Sequence, residues 1–138
     1  MARFIEFLMN HWALASAWVL LLIILISYLK SKSGKSVSTH EATLLVNRSN
    51  GVILDIRERK VFEGGHIVDA VNIPLAKLTE RMTELDKSKD SPLIVVCNMG
   101  QQAGEAVQLL EAAGYSQVSR MSGGMTEWKG QGLPLVAK

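Results

Sequence analysis

Eighteen consecutive residues, Trp12 to Leu29, carry no charge, and that run dictates a chain of two unlike parts. As a helix it extends about 27 Å, close to the hydrocarbon thickness of a bilayer, about 30 Å. The sequence from Val37 onward reads as ordinary globular protein. At about 100 residues it can bury a core of its own but has no interior that could surround such a helix. Trp12 and Trp18 toward one end and Tyr28 at the other suit interfacial anchoring. A cleavable signal peptide is the alternative, but Ser27-Tyr28-Leu29-Lys30-Ser31-Lys32 offers no small-x-small cleavage site. The expectation is a single-pass anchor over residues 1–30, a basic polar linker over 31–36 and a globular domain over 37–138. Lys30, Lys32 and Lys35 outnumber Arg3 across the apolar run, which places the domain on the cytoplasmic side of the membrane.

Charge and cysteine content narrow the chemistry of the globular part. After Ser36 there are eleven Lys and Arg against twelve Asp and Glu, a net charge of −1 with no basic run, so nucleic acid is not an expected partner. One cysteine excludes an intramolecular disulfide, a C-x-x-C redox pair and a cysteine-rich zinc site. His11, His40 and His66 lie in separate segments, so a metal is not expected.

Strand and helix patterns alternate along the domain. Ser38-x-x-Glu41 resembles a capping box opening a helix through about Val46. Val52 to Ile56 reads as a buried strand with Asp55 and Arg57 at its exit. Val71-Asn72-Ile73 is a second strand stopped by Pro74, followed by Leu75, Leu78, Met82 and Leu85 at helical spacing. Pro92 to Cys97 is the most apolar strand, and the next helix carries Ala103, Ala106, Val107, Leu110 and Ala113 on one face, with Gly114 after its end. Gln117 to Met121 gives a last strand, Gly123-Gly124 a turn, and Met125 to Lys129 a closing helix. The fold class is α/β, a mostly parallel central sheet with helices on both faces, preceded by one transmembrane helix.

In such sheets the strand carboxyl ends share one rim, where ligand sites form. Cys97 ends the most apolar strand, and Asn98, Met99, Gly100, Gln101 and Gln102 turn the chain into a helix. A thiol facing a helix N-terminus sits among unpaired N–H groups and the positive end of the macrodipole, which favour an anionic sulfur. A free cysteine at a strand end also serves as a small apolar side chain; the strand, turn and helix around Cys97 favour the nucleophile.

The separate pieces together resemble the rhodanese family of single-domain sulfurtransferases, over essentially all of residues 37–138. Asp55-Ile56-Arg57 and Gly65-His66-Ile67-Val68-Asp69-Ala70-Val71-Asn72-Ile73-Pro74 are similar to the family's D-x-R and G-H-I-x-G-A-x-N-I-P signature, with Asp69 where glycine is usual. The six residues from Cys97 to Gln102 resemble its active-site loop, and Gly123 to Trp128 its closing G-G-x-x-x-W.

The resemblance implies a sulfurtransferase, and with the apolar run and its flanking charges the expectation is a bacterial protein anchored in the inner (cytoplasmic) membrane. Cys97 would take sulfur from thiosulfate or a persulfide, carry it as a cysteine persulfide and pass it to a thiol or cyanide. Asn98 to Gln102 and Arg57 would bind the substrate, and the resemblance implies no organic cofactor. The partners implied are a small sulfur donor or a persulfide-carrying protein, a thiol acceptor, the lipid bilayer and a protein in the membrane.

The family loop commonly carries an arginine or lysine near its end, where this chain has Gln101 and Gln102. Weak thiosulfate activity, or preference for a neutral or protein-bound persulfide, is therefore expected. Arg57 and Arg120 are the cations that can compensate if either faces the loop. The same glutamines favour a second reading, a catalytically weak or inactive module that binds a membrane-located partner. A cysteine phosphatase needs a longer loop with a terminal arginine, and both are missing. His66 is expected to be a hydrogen-bonded turn residue and Trp128 a core residue.

Overall fold

A computed structural model of the chain describes residues 1–137, in two units that divide after Lys32. In the first, α1 (Ala2–Asn10) and α2 (Trp12–Ser33) are separate helices. The expected single anchor helix is broken at His11, which leaves helical geometry at φ −121°, ψ 36°. Its backbone N–H and its Nδ1 both meet the Phe7 carbonyl, and its ring stacks on Phe7 at 4.7 Å. Trp12–Ser31 within α2 is long and apolar enough to cross a membrane by length and composition, and none of it is buried.

The second unit opens with β1 (Ser36–Val37), a strand that the sequence pattern did not reveal. Then comes α3 (Thr39–Ser49), where the Ser38 Oγ accepts the Glu41 N–H at 3.1 Å, as a capping residue should. It runs three residues past the expected end and stops where Asn50 takes a left-handed φ of 54°. After β2 (Val52–Asp55) comes a short α4 (Arg59–Glu63), also unforeseen, then β3 (Val71–Asn72). The helical spacing from Leu75 resolves into a 3-10 turn, a single α-turn α5 (Leu78–Arg81) and a second 3-10 segment, Met82–Ser88. β4 (Leu93–Val96), α6 (Gln101–Ala112), β5 (Val118–Met121) and α7 (Gly124–Gly130) complete the unit.

The five strands form one all-parallel sheet in the order β1-β5-β4-β2-β3. Every residue of β4 is buried; each large aliphatic side chain so covered contributes about 1.5–3 kcal/mol, which suits the strand to the middle of the sheet. Side chains alternate across the sheet with period two. Leu93, Val95 and Cys97 face the layer holding Leu78 of α5 and Ala103, Ala106, Val107 and Leu110 of α6. Ile94 and Val96 face Ala42 of α3 and Met125 and Trp128 of α7. Cys97 is thereby aimed at the helix that follows it.

Asp69 stands where the resembled family carries glycine, and it has a left-handed φ of 61°. Aspartate is one of the few residues other than glycine that visit this region readily, so the turn keeps its backbone shape without the usual residue.

Candidate active site

Cys97 leaves β4 and the chain reverses at Gly100, which has φ 87° and precedes the first residue of α6. With this left-handed glycine the Gly100 N–H points back at the cysteine and reaches Sγ at 2.9 Å. No side chain caps α6, so its first amides are left for whatever occupies the loop.

The loop carbonyls are drawn outward by neighbouring elements. The Cys97 carbonyl accepts the Met125 N–H at 2.8 Å, and the Asn98 carbonyl accepts both the Thr126 N–H at 2.9 Å and the Thr126 hydroxyl at 2.8 Å. The Gly100 carbonyl accepts the Arg120 Nη1–H at 3.2 Å. In a trans peptide, C=O and N–H point in opposite directions. Fixing three carbonyls toward α7 and β5 therefore turns the amides of Asn98, Met99 and Gln101 to the other side. There, a cavity of about 190 Å³ is lined by Cys97, Asn98, Met99, Gln101 and Gln102.

Five of the seven expected site residues thus line one small cavity, and Gly100 contributes its amide from beneath. The sulfur belongs to a residue only 2% exposed, so access is through this opening. Larger clefts lie between the exposed apolar side chains of α1 and α2, along α2 itself, or beside Arg59, Glu63 and Arg81, whose charges are already paired. None of these clefts is lined by a cysteine. Among the described residues no three His, Cys, Asp or Glu side chains are grouped to hold a metal ion.

Arg57 departs from its expected place. It does not line the cavity: its Nε and Nη2 grip Asp55 at 2.7–3.1 Å, and Nη2 also donates to the Gly65 carbonyl at 2.8 Å. Arg57 therefore ties a strand exit to the Gly65 turn through Nε and Nη2, while its Nη1 is buried without a hydrogen-bond partner. His66 is held in that turn, its Nδ1–H on the Phe62 carbonyl at 2.7 Å and its ring stacked on Phe62 at 3.8 Å. Trp128 is buried, and its indole N–H meets the Pro134 carbonyl at 3.0 Å.

Sequence reading missed Thr126. Its signal was available in retrospect: a hydroxyl residue in the first turn of a helix opened by two glycines. Gly124 explains the double glycine, since a Cβ there would lie 2.2 Å from the Cys97 carbonyl oxygen. The helix is seated directly on the loop.

Comparison with known proteins agrees with this architecture. Residues 38–131 match the family model described as a rhodanese-like domain. The chain is 36% identical over 140 residues to the uncharacterized protein YibN of Escherichia coli (strain K12), covering 99% of this chain and 98% of that protein. Over 95 residues it is 35% identical to the thiosulfate sulfurtransferase GlpE of Coxiella burnetii, covering 69% of this chain and 87% of that one. Among solved structures, a rhodanese-related protein of Thermoplasma volcanium superposes with a TM-score of 0.68 at 26% identity, covering 75% of this chain and 99% of its own.

Proposed function

The chain belongs to the rhodanese family, and from that premise we propose that it is a membrane-anchored sulfurtransferase working through a persulfide on Cys97. The observation that carries this reading is the Gly100 N–H on the sulfur, together with loop carbonyls bonded outward so that their paired amides face the cavity. An anionic sulfur in such a ring is stabilised by backbone dipoles alone, and the step needs no metal.

The Cys97 thiolate attacks the outer sulfur of the donor. A new S–S bond forms as the donor's own S–S bond breaks, and sulfite leaves from thiosulfate, or a thiolate from a persulfide. An acceptor thiolate then attacks the outer sulfur of the Cys97 persulfide and releases the Cys97 thiolate. Cyanide takes the same sulfur as thiocyanate. Gln101 and Gln102 are exposed and bring no charge to the rim, and Met99 is 65% exposed beside them. A neutral or protein-borne persulfide suits this rim better than a dianion does.

Trp12–Ser31 is the proposed anchor, with Lys30, Lys32 and Lys35 retaining the domain on the cytoplasmic side of a bacterial inner membrane, where the thiol stays reduced. Tethering confines the enzyme to donors and acceptors near the bilayer.

The test is intact mass of the full-length chain in detergent after incubation with thiosulfate or an alkyl persulfide. The expected result is a gain of one sulfur, faster with the persulfide and absent in Cys97→Ser. No gain from any donor would leave a module that only binds a partner. In cells, the full-length chain should stay with the membrane pellet through alkaline carbonate, and a chain lacking residues 1–30 should not.

A further inference from the structure

We infer that Arg120 is the positioning residue of the sulfur loop, supplying from the sheet beneath it the cation that the loop itself lacks. The inference rests on the sulfur-transfer reading for its purpose but not for its measurement.

Arg120 lies on β5, the strand beside β4, and pairs in register with Val95, two residues before the cysteine. Its Nη1–H donates to the Gly100 carbonyl at 3.2 Å. That contact reinforces the orientation that α6 already gives the Gly100–Gln101 peptide, since Gly100 is the N-cap of the helix: with its carbonyl held on one side, the Gln101 N–H faces the opposite side, where the cavity opens. The preceding amide, Gly100 N–H, is the one on Sγ. Arg120 thus braces the peptide adjoining the amide that touches the sulfur.

The side chain is committed to little else. Among the described residues no acidic group forms an ion pair with Arg120, and its Nε is buried without a hydrogen-bond partner. An ordinary structural arginine is neutralised by a carboxylate, as Arg57 is by Asp55. The Arg120 charge is instead left for the neighbourhood of the loop, and Nη1 lies 3.5 Å from where a Gly100 side chain would begin. Gly100 is the residue whose N–H reaches Sγ, so a positive charge beside Gly100 acts in the neighbourhood of the sulfur.

The experiment measures alkylation of Cys97 by iodoacetamide at pH 7 in the full-length protein in detergent, comparing wild type with Arg120→Gln and Arg120→Lys. Iodoacetamide reacts with the thiolate and needs no sulfur donor, so the measurement stands even if no donor loads the protein. Arg120→Gln is expected to slow alkylation about five-fold, in line with loss of one charge-assisted contact. Arg120→Lys should recover at least half of the wild-type rate. Loosening of the fold would expose this buried thiol and speed alkylation, as Val118→Ala on the same strand is expected to do. The sign therefore separates positioning from mere stability. An Arg120→Gln rate equal to or above wild type, or an Arg120→Lys rate no better than Arg120→Gln, overturns the assignment.

Discussion

Gly124→Ala is expected to lower the unfolding midpoint by 10 °C or more and to abolish sulfur loading at temperatures where the protein is still folded. Two effects add. Gly124 has φ 57°, a region that costs an alanine about 1–2 kcal/mol. Its new Cβ would also lie 2.2 Å from the Cys97 carbonyl oxygen and 2.8 Å from that of Asn98, distances no packed carbon tolerates.

Backbone cannot swing aside as a side chain can, so α7 must back away from the loop. The Met125 and Thr126 hydrogen bonds to those two carbonyls go with it, at about 0.5–1.5 kcal/mol each. With the dihedral cost and these three hydrogen bonds the sum is about 2.5–6.5 kcal/mol, and at roughly 4–8 °C per kcal/mol for a domain near 100 residues the midpoint shift is large. Two controls divide the effects in thermal unfolding. Gly114 has φ 98° but nothing near a Cβ, so Gly114→Ala isolates the dihedral cost. Gly130 has open space and no such dihedral, so Gly130→Ala at the end of α7 should be neutral or slightly stabilising. A Gly124→Ala midpoint no lower than that of Gly114→Ala would show that the seat of α7 on the loop is not rigid.

That seat also marks the boundary of what the sequence made legible. Apolar runs and turn residues are local signals, and they located β2, β4, β5, α3, α6 and α7 within a few residues. Cys97 and its loop were legible for the same reason, because strand, glycine and helix are consecutive. What stayed hidden depends on contacts between distant segments. β1 is two residues long and exists because Ser36 and Val37 pair with Arg120 and Met121, a register no local pattern encodes. Thr126 reaches Asn98 across 28 residues. Arg57 and Arg120 look alike in sequence, each an arginine at or near a strand end, and only the fold separates them. One faces a carboxylate two residues away, the other the loop carbonyl of a neighbouring strand. The helical spacing after Leu75 does not distinguish an α-helix from 3-10 segments, because the apolar spacing that buries Leu78 and Leu85 is met equally well by tighter turns.

The contrast between the two arginines carries the second large effect, Asp55→Ala, which should destabilise the domain by about 3–5 kcal/mol. Asp55 is 1% exposed and Arg57 4%. The carboxylate accepts the Arg57 backbone N–H at 3.0 Å as well as its guanidinium. Removing the aspartate leaves a buried cation with only the Gly65 carbonyl for company, while Nη1 already has no partner. Against a typical domain stability of about 5–15 kcal/mol, the loss is a large fraction. It should read out in urea as a lower midpoint with little change in slope. Removing both charges is a different experiment. Asp55→Leu combined with Arg57→Met takes away the uncompensated ion along with its partner, and should recover most of the lost stability. Because Arg57 does not line the cavity, the double variant should also still load sulfur onto Cys97 when held below its unfolding midpoint. A folded double variant that no longer accepts sulfur would return Arg57 to the substrate-binding role that its residue type suggests and its hydrogen bonds oppose.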